Sequence, residues 1–170
     1  MSWNTLTQAH VNAIGSLVVA VSRLEGAVTD LIAHFMGTDI ISCVIVTYHQ
    51  QLSSKFENLH ALLHWNLHDT PAFDHISQML GKAKNVAEFR NAIVHALWFV
   101  DDDGAAYAVR FTSRGQFKRS RNPYTAEQIQ QRADEALEHV AKLHELRDFL
   151  RRQKESRPDQ SESEQDSPDD

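Results

Sequence analysis

Residues 14–35 read IGSLVVAVSRLEGAVTDLIAHF, and the spacing of the large apolar side chains in this stretch decides the fold. Ile14, Leu17, Val21, Leu24, Val28, Leu31 and Phe35 alternate steps of three and four, which places them on one face of a long amphipathic helix. Gly37 follows the last of them, a common helix stop, and Thr38 or Asp39 can cap a second, denser apolar helix running to about His49. Ser54 with Glu57 fits a capping box, and Phe56, Leu59, Leu63 and Leu67 continue at helical spacing, so a third helix covers about 54 to 68. Thr70 before Pro71 predicts a fourth helix that starts with proline at its first position, where the missing N–H had no helical partner.

Beyond Trp98 the period changes from 3.6 to two. Tyr107, Val109 and Phe111 alternate with Ala108 and Arg110, the pattern of a strand, and Asp103-Gly104 and Arg114-Gly115 are turn sequences on either side. A small hairpin or meander is expected over about 98–119. Thr125 and Gln128 form another potential capping box, after which Ile129, Ala133, Ala136, Val140, Leu143, Leu146 and Leu150 mark a last helix. The expected fold class is all-α: an up-and-down bundle of about five helices with a small β-hairpin insertion before the last one.

Composition fits one domain of about 1–153 followed by a tail. Apolar residues make up 42% and charged residues 24%, as in an ordinary folded domain. Residues 154–170 carry seven acids against Lys154 and Arg157, so most of the net charge of -6 belongs to this stretch and the body is close to neutral. Lacking apolar residues, it is expected to be a disordered acidic tail. Cys43 stands alone, which excludes an intramolecular disulfide and suits a reducing cytoplasm. The first residues lack a signal-peptide pattern, and no stretch is expected to approach the roughly 20 apolar residues needed to span a bilayer.

Chemistry is concentrated on the fourth helix. Phe73, Ile76, Leu80, Ala83, Ala87, Val94 and Leu97 form one stripe at about 100° per residue, and Arg90 falls in its middle. A guanidinium cannot shed its charge, so there it must pair with an acid such as Glu25 or Glu57, reach solvent, or line a cleft that receives an anion. His95 lies at the edge of the same stripe, one turn after Asn91, so the two share a face and all three residues can look into one groove. The alternative for His95 is an ordinary core histidine with its hydrogen bonds satisfied.

The run Arg90-Asn91-Ala92-Ile93-Val94-His95, near the end of a bundle helix, resembles the Arg-x4-6-His signature of the HEPN superfamily, with the usual polar residue directly after the arginine. The resemblance covers about residues 5–152. It implies metal-independent, cofactor-free RNA cleavage at a homodimer cleft, with Arg90, Asn91 and His95 as catalytic residues. A neutral imidazole can take a proton from a ribose 2′-hydroxyl, and an arginine can stabilise the phosphorane charge, leaving a 2′,3′-cyclic phosphate and a 5′-hydroxyl. It also implies a bacterial toxin–antitoxin or phage-defence setting, with an antitoxin or nucleotidyltransferase as partner. Many members are inactive, which makes a module binding a nucleotide, RNA or a partner protein the alternative.

Arg110, Arg114, Lys118, Arg119 and Arg121 form the chain's basic stretch, without an acid between Gly104 and Tyr124 and interleaved with Tyr107, Phe111, Phe117 and Tyr124. Such a mixture can follow a phosphate backbone and stack on unpaired bases. A solvated hairpin, or a dock for the acidic tail, accounts for it equally. His60, His64 and His68 recur every four residues, but a row over nearly three turns cannot converge on one tetrahedral ion without another element such as Asp69 or His75, so no metal site is expected. Asp101-Asp102-Asp103-Gly104 lacks the rest of a calcium loop and reads as a turn.

Overall fold

A computed structural model describes residues 6–112 and 118–156, with the side chains of Thr112 and Lys118 excepted. Five helices, α1 (Gln8–Met36), α2 (Ile40–Thr47), α3 (Leu52–Leu67), α4 (Ala72–Val94) and α5 (Ala126–Glu155), frame a sheet of β1 (Leu97–Val100), β2 (Ala106–Thr112) and β3 (Lys118–Pro123). The all-α bundle with a small β insertion before its last helix is therefore present. The insertion is a three-stranded antiparallel meander in the order β1-β2-β3.

α1 is the spine. Leu17, Val21, Leu24, Val28 and Leu31 are fully buried, which accounts for its apolar face. The helix is long and apolar enough, with a mean hydropathy of 1.4, to meet the length and composition of a membrane-crossing segment. That corrects the expectation that no stretch comes close, and the bundle core is what the apolar side serves here. Thr7 caps its start by accepting from the His10 N–H, and Gly37 ends it in the left-handed region at φ 65, where a side chain would be strained.

Contacts along the helices fix their directions. His10 meets Tyr124 and Asp30 pairs with Arg147, so α1 and α5 run parallel. α4 returns against them: Phe89 near its end packs on Tyr124, while His75 and Met79 near its start share a cleft with Leu146 and Phe149. α3 begins where Lys55 reaches Glu25 and Glu57 meets Lys84, then runs away from the α4 C-terminus toward Phe73.

Several local expectations are corrected. α3 starts at Leu52 behind Gln51 and has no capping box, because the Glu57 carboxylate is turned outward to Lys84 and Ser54 lies inside the helix. Pro71 sits just before the first helical residue of α4, and the Thr70 hydroxyl donates to the Leu67 carbonyl, closing α3 instead of opening α4. Asp39 is the cap of α2, accepting from the Ser42 N–H, and Thr125 with Gln128 makes the expected capping box on α5. In the stripe of α4, Val94 and Leu97 are exposed, and Val86 and Ile93 are the buried residues instead. α5 continues to Glu155; the acidic stretch beyond Ser156 lies outside the described residues.

α2 is unusual. Only Cys43 and Thr47 are buried, while Ile41 and Ile45 are each 70% exposed and Val46 and Tyr48 stand out beside them.

His139 of α5 is buried with its Nδ1 unpartnered among the described residues, and burial first, then Lys142, lowers its pKa. The folded state therefore disfavours protonation that the unfolded chain accepts near pH 6.5. Its contribution is intact above that value and is lost as pH falls toward the depressed pKa. Melting temperature should drop on acidification from pH 7 to pH 5, and His139→Leu should show a smaller drop; equal slopes in the two proteins would remove His139 as the cause.

Candidate active site at the end of the fourth helix

On the wheel of α4, Arg90 lies between Ala83 and Ala87 on one side and Val86 and Ile93 on the other, the centre of the sector that faces the core. It escapes full burial because it sits near the helix end and beyond the start of α3. Its Nη1 donates to Asn91 Oδ1 at 3.0 Å. Its Nε is buried without a partner among the described residues.

The two acids considered as its partners, Glu25 and Glu57, are engaged elsewhere. Glu25 binds the buried Lys55 at 2.7 Å and Glu57 binds Lys84 at 3.3 Å. Among the described residues no carboxylate forms an ion pair with Arg90. An arginine in this position keeps most of its donors for something else.

His95 is the C-cap of α4. Its N–H still bonds the Asn91 carbonyl at 3.2 Å, and its imidazole is exposed, without a hydrogen bond among the described residues. The core-histidine alternative therefore does not describe it. What holds this turn is Trp98, whose Nε1 donates to the Ile93 carbonyl at 3.1 Å and so satisfies one of the last acceptors of the helix. Trp98 is packed against Tyr124 and His10, and Tyr124 against Phe89, which ties the α4 exit to the starts of α1 and α5. Asn91 orients Arg90 and leaves the imidazole free. The three residues are brought to one exposed helix end, and two clefts of about 530 and 450 Å³ elsewhere on the chain do not include them.

The basic stretch divides. Cross-strand partners point to the same side of a sheet, and the register pairs Phe111 with Arg119 and Val109 with Arg121. Arg119 and Arg121 thus share a face with Tyr107 and Phe111, while Arg110 projects to the other. Arg114 lies outside the described residues, as does the Lys118 side chain. Tyr124 belongs to the aromatic cluster at the bundle end. Leu97 and Phe99 join the arginine face through β1, which the period of β2 alone did not reveal.

On α3 the histidines are spread apart in role: His64 stacks on His68, His60 and His64 pack on Phe73, and His68 lies 3.0 Å from Asp69. Asp101-Asp102-Asp103-Gly104 forms the β1–β2 turn, with Asp101 accepting from the Asp103 and Ala105 N–H groups and Gly104 at φ 83. Comparison of the chain with known protein families, curated proteins and solved structures found no match.

If Arg90 is not kept for stability, Arg90→Met should leave the melting temperature unchanged or raise it, by up to about 1 kcal/mol in unfolding free energy. A loss of about 1–3 kcal/mol, measured by denaturant unfolding, would mark its hydrogen bonds as structural instead.

Proposed function

We propose that the chain is a metal-independent endoribonuclease of HEPN type, acting at a cleft between two copies of itself. One observation carries the reading: a guanidinium held in the core-facing sector of α4, with a buried Nε and without a carboxylate partner among the described residues. Such a group costs folding energy unless an anion meets it. An RNA phosphate is an anion with the right pair of acceptors.

In this mechanism the imidazole of His95 takes the proton of a 2′-hydroxyl, and the freed oxygen attacks the adjacent phosphorus. The bond from phosphorus to the 5′-oxygen breaks, and that oxygen collects a proton from solvent. Arg90 donates to the non-bridging oxygens as their charge grows, and Asn91 holds the guanidinium in line. The products are a 2′,3′-cyclic phosphate and a 5′-hydroxyl.

A second copy is supported by α2. Six large apolar side chains between Ile40 and Tyr48 are at least 41% exposed, and the whole stretch from Ile40 to Ser54 is free of Asp, Glu, Lys and Arg. A two-fold contact sets a patch against itself, so a charge-free patch meets no like-charge repulsion there. A catalytically inactive module that binds a nucleotide, RNA or a partner protein through Arg90 is the second reading, favoured by one fact: Asn91 is turned to Arg90, so the imidazole has no orienting partner among the described residues. The toxin–antitoxin or phage-defence setting, and an antitoxin or nucleotidyltransferase partner, rest on the resemblance alone.

Purified protein with unstructured RNA and EDTA should cut it to cyclic-phosphate ends. His95→Ala and Arg90→Ala should each lower the rate by about 10²–10⁴; cleavage surviving both would sink the assignment, and nucleotide or protein binding lost in the same variants without cleavage would favour the module. Ile41→Glu with Ile45→Glu should shift the mass seen in sedimentation from dimer to monomer and lower the rate with it. Full activity as a monomer would remove the shared cleft.

A further inference from the structure

The sheet starts two residues after His95, and its two faces differ. Trp98, Ala106 and Ala108 share the face toward the bundle: Trp98 packs on the core, and the two alanines are buried. The opposite face carries Leu97 and Phe99 from β1, Tyr107, Val109 and Phe111 from β2, and Arg119 and Arg121 from β3. Val109 is buried, whereas Leu97 is 57% and Phe111 48% exposed and both arginines are exposed. No acidic residue occupies a strand position on this face.

One contact gives the face its chemistry. The Arg121 guanidinium lies over the Tyr107 ring, 3.7 Å from its centroid, in a cation–π contact that covers one face of the ring. The Asp101 carboxyl in the β1–β2 turn is held below its usual range first by the Ala105 N–H and in smaller part by Tyr107 and Arg121. Asp101 follows Val100, at the end of β1 remote from His95.

From this geometry we infer that the outward face of the sheet is a platform for single-stranded RNA, stacking unpaired bases on the Arg121–Tyr107 pair and on Phe111 while Arg119 meets the backbone. Unpaired bases offer flat faces to aromatic rings and to guanidinium planes, and duplex RNA hides those faces. The platform joins the proposed cleavage centre without a loop between them, since His95 and Leu97 belong to one continuous turn of chain. It therefore selects unpaired strands and feeds them across the end of α4. The inference rests on the ribonuclease reading for its substrate, and the two fail separately.

The test is fluorescence anisotropy with the full-length His95→Ala protein, a labelled 12-nucleotide oligouridine, and a duplex of the same length, over a range of salt. The oligouridine should bind more tightly than the duplex. Arg121→Lys keeps the charge and loses the plane, so it should weaken oligouridine binding about tenfold with little change in salt slope. Arg119→Ala should instead flatten the slope of log affinity against log salt by about 0.7. Phe111→Ala should weaken binding and Phe111→Trp restore it, with circular dichroism melts reporting that each variant is folded.

Duplex bound as tightly as oligouridine, or identical affinities across the folded variants, would overturn the platform. So would a change of oligomeric mass in the Arg119 and Arg121 variants without any RNA binding, which would mark the face as a protein contact. Binding that follows this pattern in a wild-type protein that never cuts RNA leaves the platform standing and removes the chemistry. Cleavage that ignores all four sheet variants does the reverse.

Discussion

The parallel packing of α1 on α5 governs everything else in this molecule. Two helices of 29 and 30 residues are each about 44 Å long at 1.5 Å per residue, and running them side by side in the same direction obliges the chain to travel back between them. α4 makes that return. It therefore delivers its C-terminal turn, with Arg90, Asn91 and His95, to the end of the bundle where α1 and α5 both begin. The sheet is the remaining link from that end of α4 to the start of α5, and it has nowhere to lie except across the same end of the bundle.

The polar interior follows the same geometry. Lys55 is buried against Glu25, and Asp30 is paired with Arg147, so the charges enclosed among α1, α3 and α5 are balanced locally. Arg90 is the contrasting case, in the same core-facing register but with a buried Nε that has no partner among the described residues. A fold that neutralises its other interior cations with nearby acids leaves this one at the end of α4 that lies beyond the start of α3. That difference is a property of position along the bundle, since the wheel angle of Arg90 would suit a leucine.

How much of this was legible in the sequence can be judged residue by residue. The steps of three and four from Ile14 to Phe35 and from Ile129 to Leu150 specify the two long helices because their apolar faces are buried or half-buried against the core along their length. Thr125 and Gln128 were readable as a cap because both bonds are local. Ser54 and Glu57 were misleading for the opposite reason: the Glu57 carboxylate is claimed by Lys84, 27 residues away, and local pattern carries no information on such a rival. Val94 and Leu97 continue the apolar period of α4, but the helix ends at Val94 and Leu97 already belongs to β1, so the helical period no longer decides which side faces the core. The motif was visible as spacing, whereas the engagement of Glu25 and Glu57 by lysines, which leaves Arg90 without them, needed the tertiary contacts. Leu97 and Phe99 were hidden because face membership in a sheet depends on register, and register is set between strands.

The bond from Trp98 Nε1 to the Ile93 carbonyl has an implication for how this chain can vary through evolution. It spans the residues from helix end to strand start, so an inserted or deleted residue there would break the bond and turn the alternating pattern of β1 over at once. The Asp101–Gly104 turn, at the far end of the same strand, can change length without moving His95. Length variation among descendants of this sequence is thereby channelled to the sheet tip, while the junction behind His95 keeps a fixed count of residues.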